Sequence, residues 1–130
     1  MAVQLSDKAK ALFDAPSFVT VATIQPDGSP QLSVVWVKRD GDDILFSTLE
    51  GRRKHLNLVK DPRVTLLVNP PEAPYSYLEV RGEATFSTAT GRELIDELSQ
   101  KYTGADYAVE DPAAVRVIVR VTPRKVIERS

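Results

Sequence analysis

Between Tyr77 and Phe86 the apolar residues Leu78, Val80, Ala84 and Phe86 alternate with Tyr77, Glu79, Arg81 and Glu83. Between Val115 and Val121 every second residue is a valine, alternating with Arg116, Ile118 and Arg120. A period of two is the repeat of a pleated strand with one face against a core, and it excludes a helix at both places. Four further β-branched or aromatic runs, Phe18–Ile24, Gln31–Lys38, Ile44–Thr48 and Arg63–Val68, are separated by turn formers. Gln25-Pro26-Asp27-Gly28 and Arg39-Asp40-Gly41-Asp42 make hairpins of the first three runs, and the proline-rich Asn69–Pro74 must be a loop. Six antiparallel strands with short turns are best closed into a barrel, since closure removes the free edges of a flat sheet. The expected fold is mainly β, a six-stranded antiparallel barrel with a few short helices.

Three segments read as those helices. Ser6 is a plausible N-cap for a helix to Ala15, with Leu5, Ala9, Leu12 and Phe13 as its apolar stripe. Arg52–Val59 can form a second, which must stop before Pro62. Thr90-Gly91-Arg92-Glu93 has the form of a capping box, and Leu94, Leu98 and Tyr102 follow at four-residue spacing until Gly104.

A length of 130 residues with 42% hydrophobic content supports one ordinary core, so residues 1–130 are expected to form one domain. The net charge of -1 gives no global attraction to nucleic acid or to an anionic membrane. With no cysteine and a single histidine, disulfides, thiol nucleophiles and a zinc or haem ligand set are excluded or poorly supplied. No signal segment and no apolar run of about 20 residues is present, so a cytoplasmic protein is the expectation.

The stretch most suggestive of chemistry is Ser47-Thr48-Leu49-Glu50-Gly51-Arg52-Arg53-Lys54. A strand ends, a glycine turns the chain, and a helix starts with three cations. Amides of a first helical turn, Arg53 and Lys54 could hold a phosphate, with hydroxyls from Ser47 and Thr48 beside it. The phosphate-loop spacing G-x-x-x-x-G-K-[ST] is absent. By local chemistry alone, three basic residues at a helix start are more often a solvated face.

Two other features carry alternatives. Gln31–Val37 is apolar on both faces, so its outer face should meet a dimer partner, a flat aromatic ligand or a covering helix, and the lone tryptophan, Trp36, lies on it. Asp40, Asp42 and Asp43 occupy a hairpin turn, where aspartate is favoured for backbone reasons, and no metal site is expected there. His55, about a hundred degrees round the helix from Lys54, reads as a surface or packing residue.

The order of elements, together with Phe18–Thr23, Asp27-Gly28-Ser29-Pro30, Ser33–Val37, Gly51-Arg52-Arg53-Lys54 with Asn57-Leu58, Asp61-Pro62-Arg63-Val64 and Tyr77–Gly82, resembles the split β-barrel flavin-binding proteins related to pyridoxamine phosphate oxidase. The motifs are most similar to the actinobacterial branch that uses the deazaflavin coenzyme F-420 in place of FMN. The resemblance implies a homodimer with two cofactor sites at its interface. It implies that the strand matching Ser33, Val34, Val35 and Trp36 lies along the ring system. Ser47, Thr48, Arg52, Arg53 and Lys54 match the phosphate holders, Asn57 a nearby polar contact, and Tyr77 a residue that reaches the cofactor from the other subunit. The implied activity is hydride transfer between reduced F-420 and an unsaturated small molecule, with an FMN-dependent oxidoreductase or a non-catalytic F-420-binding or storage protein as alternatives. No residue is selected as a catalytic acid or base. Two departures argue against the vitamin oxidase activity itself. The strand Leu32–Val37 offers no arginine, and the chain ends soon after Val126-Ile127 where those oxidases carry a substrate-binding segment. The loops Asn69–Ser76 and Thr103–Pro112 are expected to border the open ring face.

Overall fold

A computed structural model of the chain describes residues 3–108 and 111–129. Among them are seven strands, β1 (Val19–Ile24), β2 (Pro30–Val35), β3 (Val37–Asp40), β4 (Asp43–Leu49), β5 (Arg63–Val68), β6 (Leu78–Ser87) and β7 (Arg116–Glu128). Three helices accompany them, α1 (Asp7–Asp14), α2 (Arg53–Lys60) and α3 (Gly91–Thr103). All neighbouring strands are antiparallel, in the order β2-β1-β5-β6-β7-β4-β3. The two edges, β2 and β3, are joined through the single residue Trp36, so the sheet must curl until its edges meet there. This is a split barrel.

The one difference from the expected six strands lies at that junction. Gln31–Lys38 reads as one strand, but it crosses from one sheet edge to the other and breaks at Trp36, giving β2 and β3. Side chains of α3 satisfy the backbone at the break. Tyr102 Oη accepts from the Val37 amide at 3.1 Å and donates to the Ser17 carbonyl at 2.7 Å, while Lys101 Nζ donates to the carbonyls of Phe13 and Val37, both at 2.6 Å. Partial burial lowers the pKa of Lys101 and raises that of Tyr102, since each charged form loses hydration.

Alternation along β6 and β7 sends Leu78, Val80, Ala84, Val117, Val119 and Val121 inward, where they meet Phe13 of α1 and Phe46 of β4. Each valine, leucine or phenylalanine among them contributes about 1.5–3 kcal/mol on burial. On the outer face of β4 and β7, Leu45 and Ile118 are covered by Leu94 and Leu98 of α3, with Trp36 and Tyr102 packed alongside. The helix therefore covers the indole, one of the occupants open for Trp36 from sequence. Ser6 caps α1 as expected, its hydroxyl accepting from the Ala9 amide at 3.1 Å. The Thr90 capping box does not form: Thr90 has φ -119° and ψ 28°, not the extended conformation that aims a hydroxyl at the helix amides. The hairpin aspartates are anchors: Arg120 donates to Asp40 at 2.8 Å and Asp43 at 3.0 Å, and Asp42 accepts from the Leu5 amide. The Arg120 guanidinium holds the Asp40 carboxyl below its usual range. No helix among the described residues is long and apolar enough to cross a membrane.

Candidate functional site

The turn between β4 and α2 uses its backbone amides in a definite order. The Glu50 amide donates to the Val115 carbonyl at 2.9 Å and the Arg52 amide to the Leu49 carbonyl at 3.1 Å, while Gly51 takes φ +88°, a conformation that a side chain would strain. The first helical hydrogen bond runs from the Leu56 amide to the Arg52 carbonyl. The amides of Arg53, Lys54 and His55 thus have no acceptor among the described residues. Arg52 occupies the N-cap position, and a guanidinium has no lone pair with which to cap. The first turn holds no acidic residue. Cations at this pole oppose the helix dipole by about 0.3–1 kcal/mol each. Taken alone, the helix start is poorly designed; an anion would resolve every one of these faults.

Lys54 sharpens the point. Its ammonium is partly buried and forms no ion pair among the described residues, and burial first, then the positive charges of Arg52 and Arg116, lower its pKa. Lys54 and Arg52 line a cleft of about 200 Å³ with Ser47 and with Val34, Val35 and Trp36 from the strand break. Ile95 and Leu98 of α3 and Tyr107 from the segment after it complete the lining. Six residues proposed from sequence are thereby brought together: Val34, Val35, Trp36, Ser47, Arg52 and Lys54.

Five are not part of that cleft. Ser33 lies on β2 opposite Val21, its hydroxyl buried without a partner. Thr48 is turned to the opposite face of β4 from Ser47, fully buried with its Oγ1 unpartnered, because successive strand residues point to opposite sides. Arg53 is exposed at the start of α2. Asn57 is buried and donates its amide to Thr23 Oγ1 at 3.0 Å and Gln25 Oε1 at 2.9 Å, tying α2 to the end of β1. Tyr77 lines a separate cleft of about 440 Å³ on the outer face of the sheet, with Leu32, Leu67 and Glu79. Replacing Thr48 by valine keeps the shape and removes an unpaired buried hydroxyl, so we expect a gain of about 1 kcal/mol in urea denaturation; a less stable variant would show that the hydroxyl has a partner.

Two residues of the site carry no signal strong enough to single them out in the sequence. Arg116, buried on β7, donates to Ser47 Oγ at 3.3 Å and to Tyr107 Oη at 2.9 Å, and its guanidinium lies 5.0 Å from the Tyr107 ring centre. Tyr107 also meets Trp36 edge-on at 6.4 Å. An arginine within a valine-rich strand was a weak hint, but only the register that sets Arg116 opposite Leu49 brings it to the turn.

The family model of pyridoxamine 5'-phosphate oxidase matches residues 5–130. The chain belongs to the pyridoxamine 5'-phosphate oxidase family. Among solved structures, an F-420 reductase is similar to this family member at 31% sequence identity, over 95% of this chain and 98% of its own, with a TM-score of 0.83. A conserved hypothetical protein from Mycobacterium tuberculosis shares the fold at 24% identity, over 96% and 84% of the two chains, with a TM-score of 0.76. General stress protein 26 from Bacillus anthracis shares it at 16% identity, over 92% and 88%, with a TM-score of 0.70.

Proposed function

We propose that the protein is a coenzyme F-420-dependent oxidoreductase that acts as a homodimer on an unsaturated small molecule. The observation that carries this reading is the start of α2, where the amides of Arg53, Lys54 and His55 have no acceptor among the described residues and the partly buried Lys54 ammonium lines the neighbouring cleft without an ion pair among them. Those donors fit a phosphate, which F-420 and FMN both carry. The similarity to an F-420 reductase favours the deazaflavin. When bound, F-420 supplies a hydride for reduction and reacts little with oxygen.

The chain's own residues would bind and orient. Lys54, Arg52 and the amides of Arg53–His55 hold the phosphate, with Ser47 beside it. The outer edge of β2 has no neighbouring strand among the described residues, so alternate backbone groups along Ser33–Val35 could meet a ring edge. Trp36 is held at the strand break by its stack on Tyr102, 5.4 Å between ring centres. A volume of about 200 Å³ falls below the roughly 300–1,000 Å³ of sites for drug-sized ligands, so the protomer encloses only part of such a cofactor. A second copy would complete the enclosure. Exposed Phe18, Leu32 and Val34 give it an apolar surface to cover, and Tyr77, which lines a separate cleft of its own chain, would reach the partner's site in such a dimer.

Titration of the purified protein with F-420 and with FMN tests the proposal. Tight F-420 and weak FMN binding supports it and opens a substrate screen with the reduced cofactor; turnover then separates an enzyme from a storage protein. The reverse preference assigns the protein to FMN, and binding of neither rejects the phosphate site.

A pH dependence follows from Lys54. In the free protein its pKa lies below the ordinary lysine range, and a bound phosphate would raise it, so the complex holds the proton more tightly. Affinity is therefore complete below the free-state pKa and declines as pH rises through it. Titrations repeated from neutral to alkaline pH should show this decline beginning earlier than for an exposed lysine, and Lys54→Arg should remove it.

A further inference from the structure

One side chain at the basic turn does work that its position in the sequence does not announce. His55 accepts a hydrogen bond from the Gly51 amide at its Nδ1, 3.1 Å away, and its ring stands edge-on to Phe86 with 5.5 Å between centres. Helical side chains lean toward the N-terminus, so a residue in the third helical position reaches back over the preceding turn. The peptide entering Gly51 is the freest in the segment, because a glycine tolerates φ of either sign. The imidazole pins it. Glu50 and Arg52 have backbone acceptors for their amides and Gly51 has His55, which leaves the amides of Arg53, Lys54 and His55 as the donors in surplus.

In a capping box, the residue three places into the helix is Glu or Gln, reaching back to an amide at the helix start. A carboxylate here would sit beside Lys54 and compete with any anion for its charge and for the helix pole. A neutral imidazole with its proton on Nε2 supplies the same acceptor without the charge. We infer that His55 is a positioning residue of the anion site: it locks the Gly51 turn so that the α2 amides and Lys54 converge on one phosphate, and it does so without adding negative charge. This rests on the reading of the cleft as a phosphate site. It extends that reading to a residue expected from sequence to serve as surface or packing.

Three variants separate the possibilities, assayed by titration with whichever of F-420 and FMN the wild type binds. His55→Asn keeps an acceptor in the Nδ1 position and loses the ring over Phe86; His55→Phe keeps the ring and loses the acceptor; His55→Glu keeps an acceptor and adds a charge. The expected result is affinity within about twofold of wild type for His55→Asn and a loss of about tenfold for His55→Phe, one hydrogen bond's contribution. His55→Glu should bind more weakly than His55→Asn while matching its thermal stability or exceeding it. Wild-type affinity in His55→Phe, an equal loss in His55→Asn, or tight binding by His55→Glu overturns the inference while leaving the phosphate site intact. Absence of binding by the wild type overturns both. Nitrogen NMR of the wild-type imidazole gives a decision that needs no variant: a proton on Nδ1 excludes the bond from Gly51 and with it the inference.

Discussion

Lys54→Ala is expected to weaken binding of a phosphate-bearing cofactor by about ten- to a hundredfold, corresponding to the roughly 1.5–3 kcal/mol of a charge-assisted hydrogen bond. The effect should be large because the ammonium is partly desolvated before any ligand arrives. Its hydration is already reduced by burial, and Arg52 and Arg116 repel it. Those unfavourable contributions belong to the free protein, so an arriving anion meets a charge with less water to displace than on an open surface. The same reasoning fixes the effect on stability. Removing a cation that forms no ion pair among the described residues should leave the urea midpoint unchanged or slightly higher. Arg53→Ala makes a useful control, since that side chain is exposed and outside the cleft, and a reduction of only about two- to threefold is expected there. Equal affinities for wild type and Lys54→Ala in a fluorescence or calorimetric titration would move the phosphate away from this turn.

Most of the scaffold is legible in the sequence because it depends on local periodicity. Val117, Val119 and Val121 are buried because the period of two is strict, and α1 begins where Ser6 can cap it. Trp36 shows where local rules stop. Nothing in Gln31–Lys38 announces a break, because the break is imposed by curling of the whole sheet and stabilised by Lys101 and Tyr102, more than 60 residues away in sequence. Thr90 has the residue type of a cap but not its extended backbone, which residue type alone does not fix. The site divides in the same way. Gly51 and Lys54 are contiguous, so their turn can be read directly, whereas Arg116 and Tyr107 reach the cleft only through the pairing of β7 with β4 and the return of the chain after α3. Strand alternation alone places Ser47 and Thr48 on opposite faces. The local reading and the family resemblance both set the two hydroxyls beside a phosphate, whereas of the two only Ser47 lines the cleft.

Gly91→Ala is the substitution expected to cost the fold most for the smallest change. In a helix interior, alanine is favoured over glycine by about 1 kcal/mol, and helix propensity alone therefore predicts a more stable protein. The packing predicts the opposite. Gly91 opens α3, buried against β7, and a methyl group there would lie 2.4 Å from the Arg116 carbonyl oxygen, 2.8 Å from Arg116 Cβ and 2.9 Å from the carbonyl carbon. None of these atoms is the end of a flexible side chain, and Arg116 is held in register by Leu49 of β4. Relief therefore requires the start of α3 to lift from the sheet, loosening Leu94 and Leu98 from Leu45 and Ile118. Overpacking of this kind costs about 1–3 kcal/mol and sometimes more, enough to outweigh the propensity gain. The expected net loss is about 2 kcal/mol, read as a lowered urea midpoint with an unchanged slope. Because Ile95, Leu98 and Tyr107 line the cleft beside Lys54, the same displacement should weaken cofactor binding without touching the phosphate donors. A variant as stable as wild type would mean that α3 does not pack this closely on Arg116, and the wall of the cleft formed by Ile95 and Leu98 would then have to be placed differently.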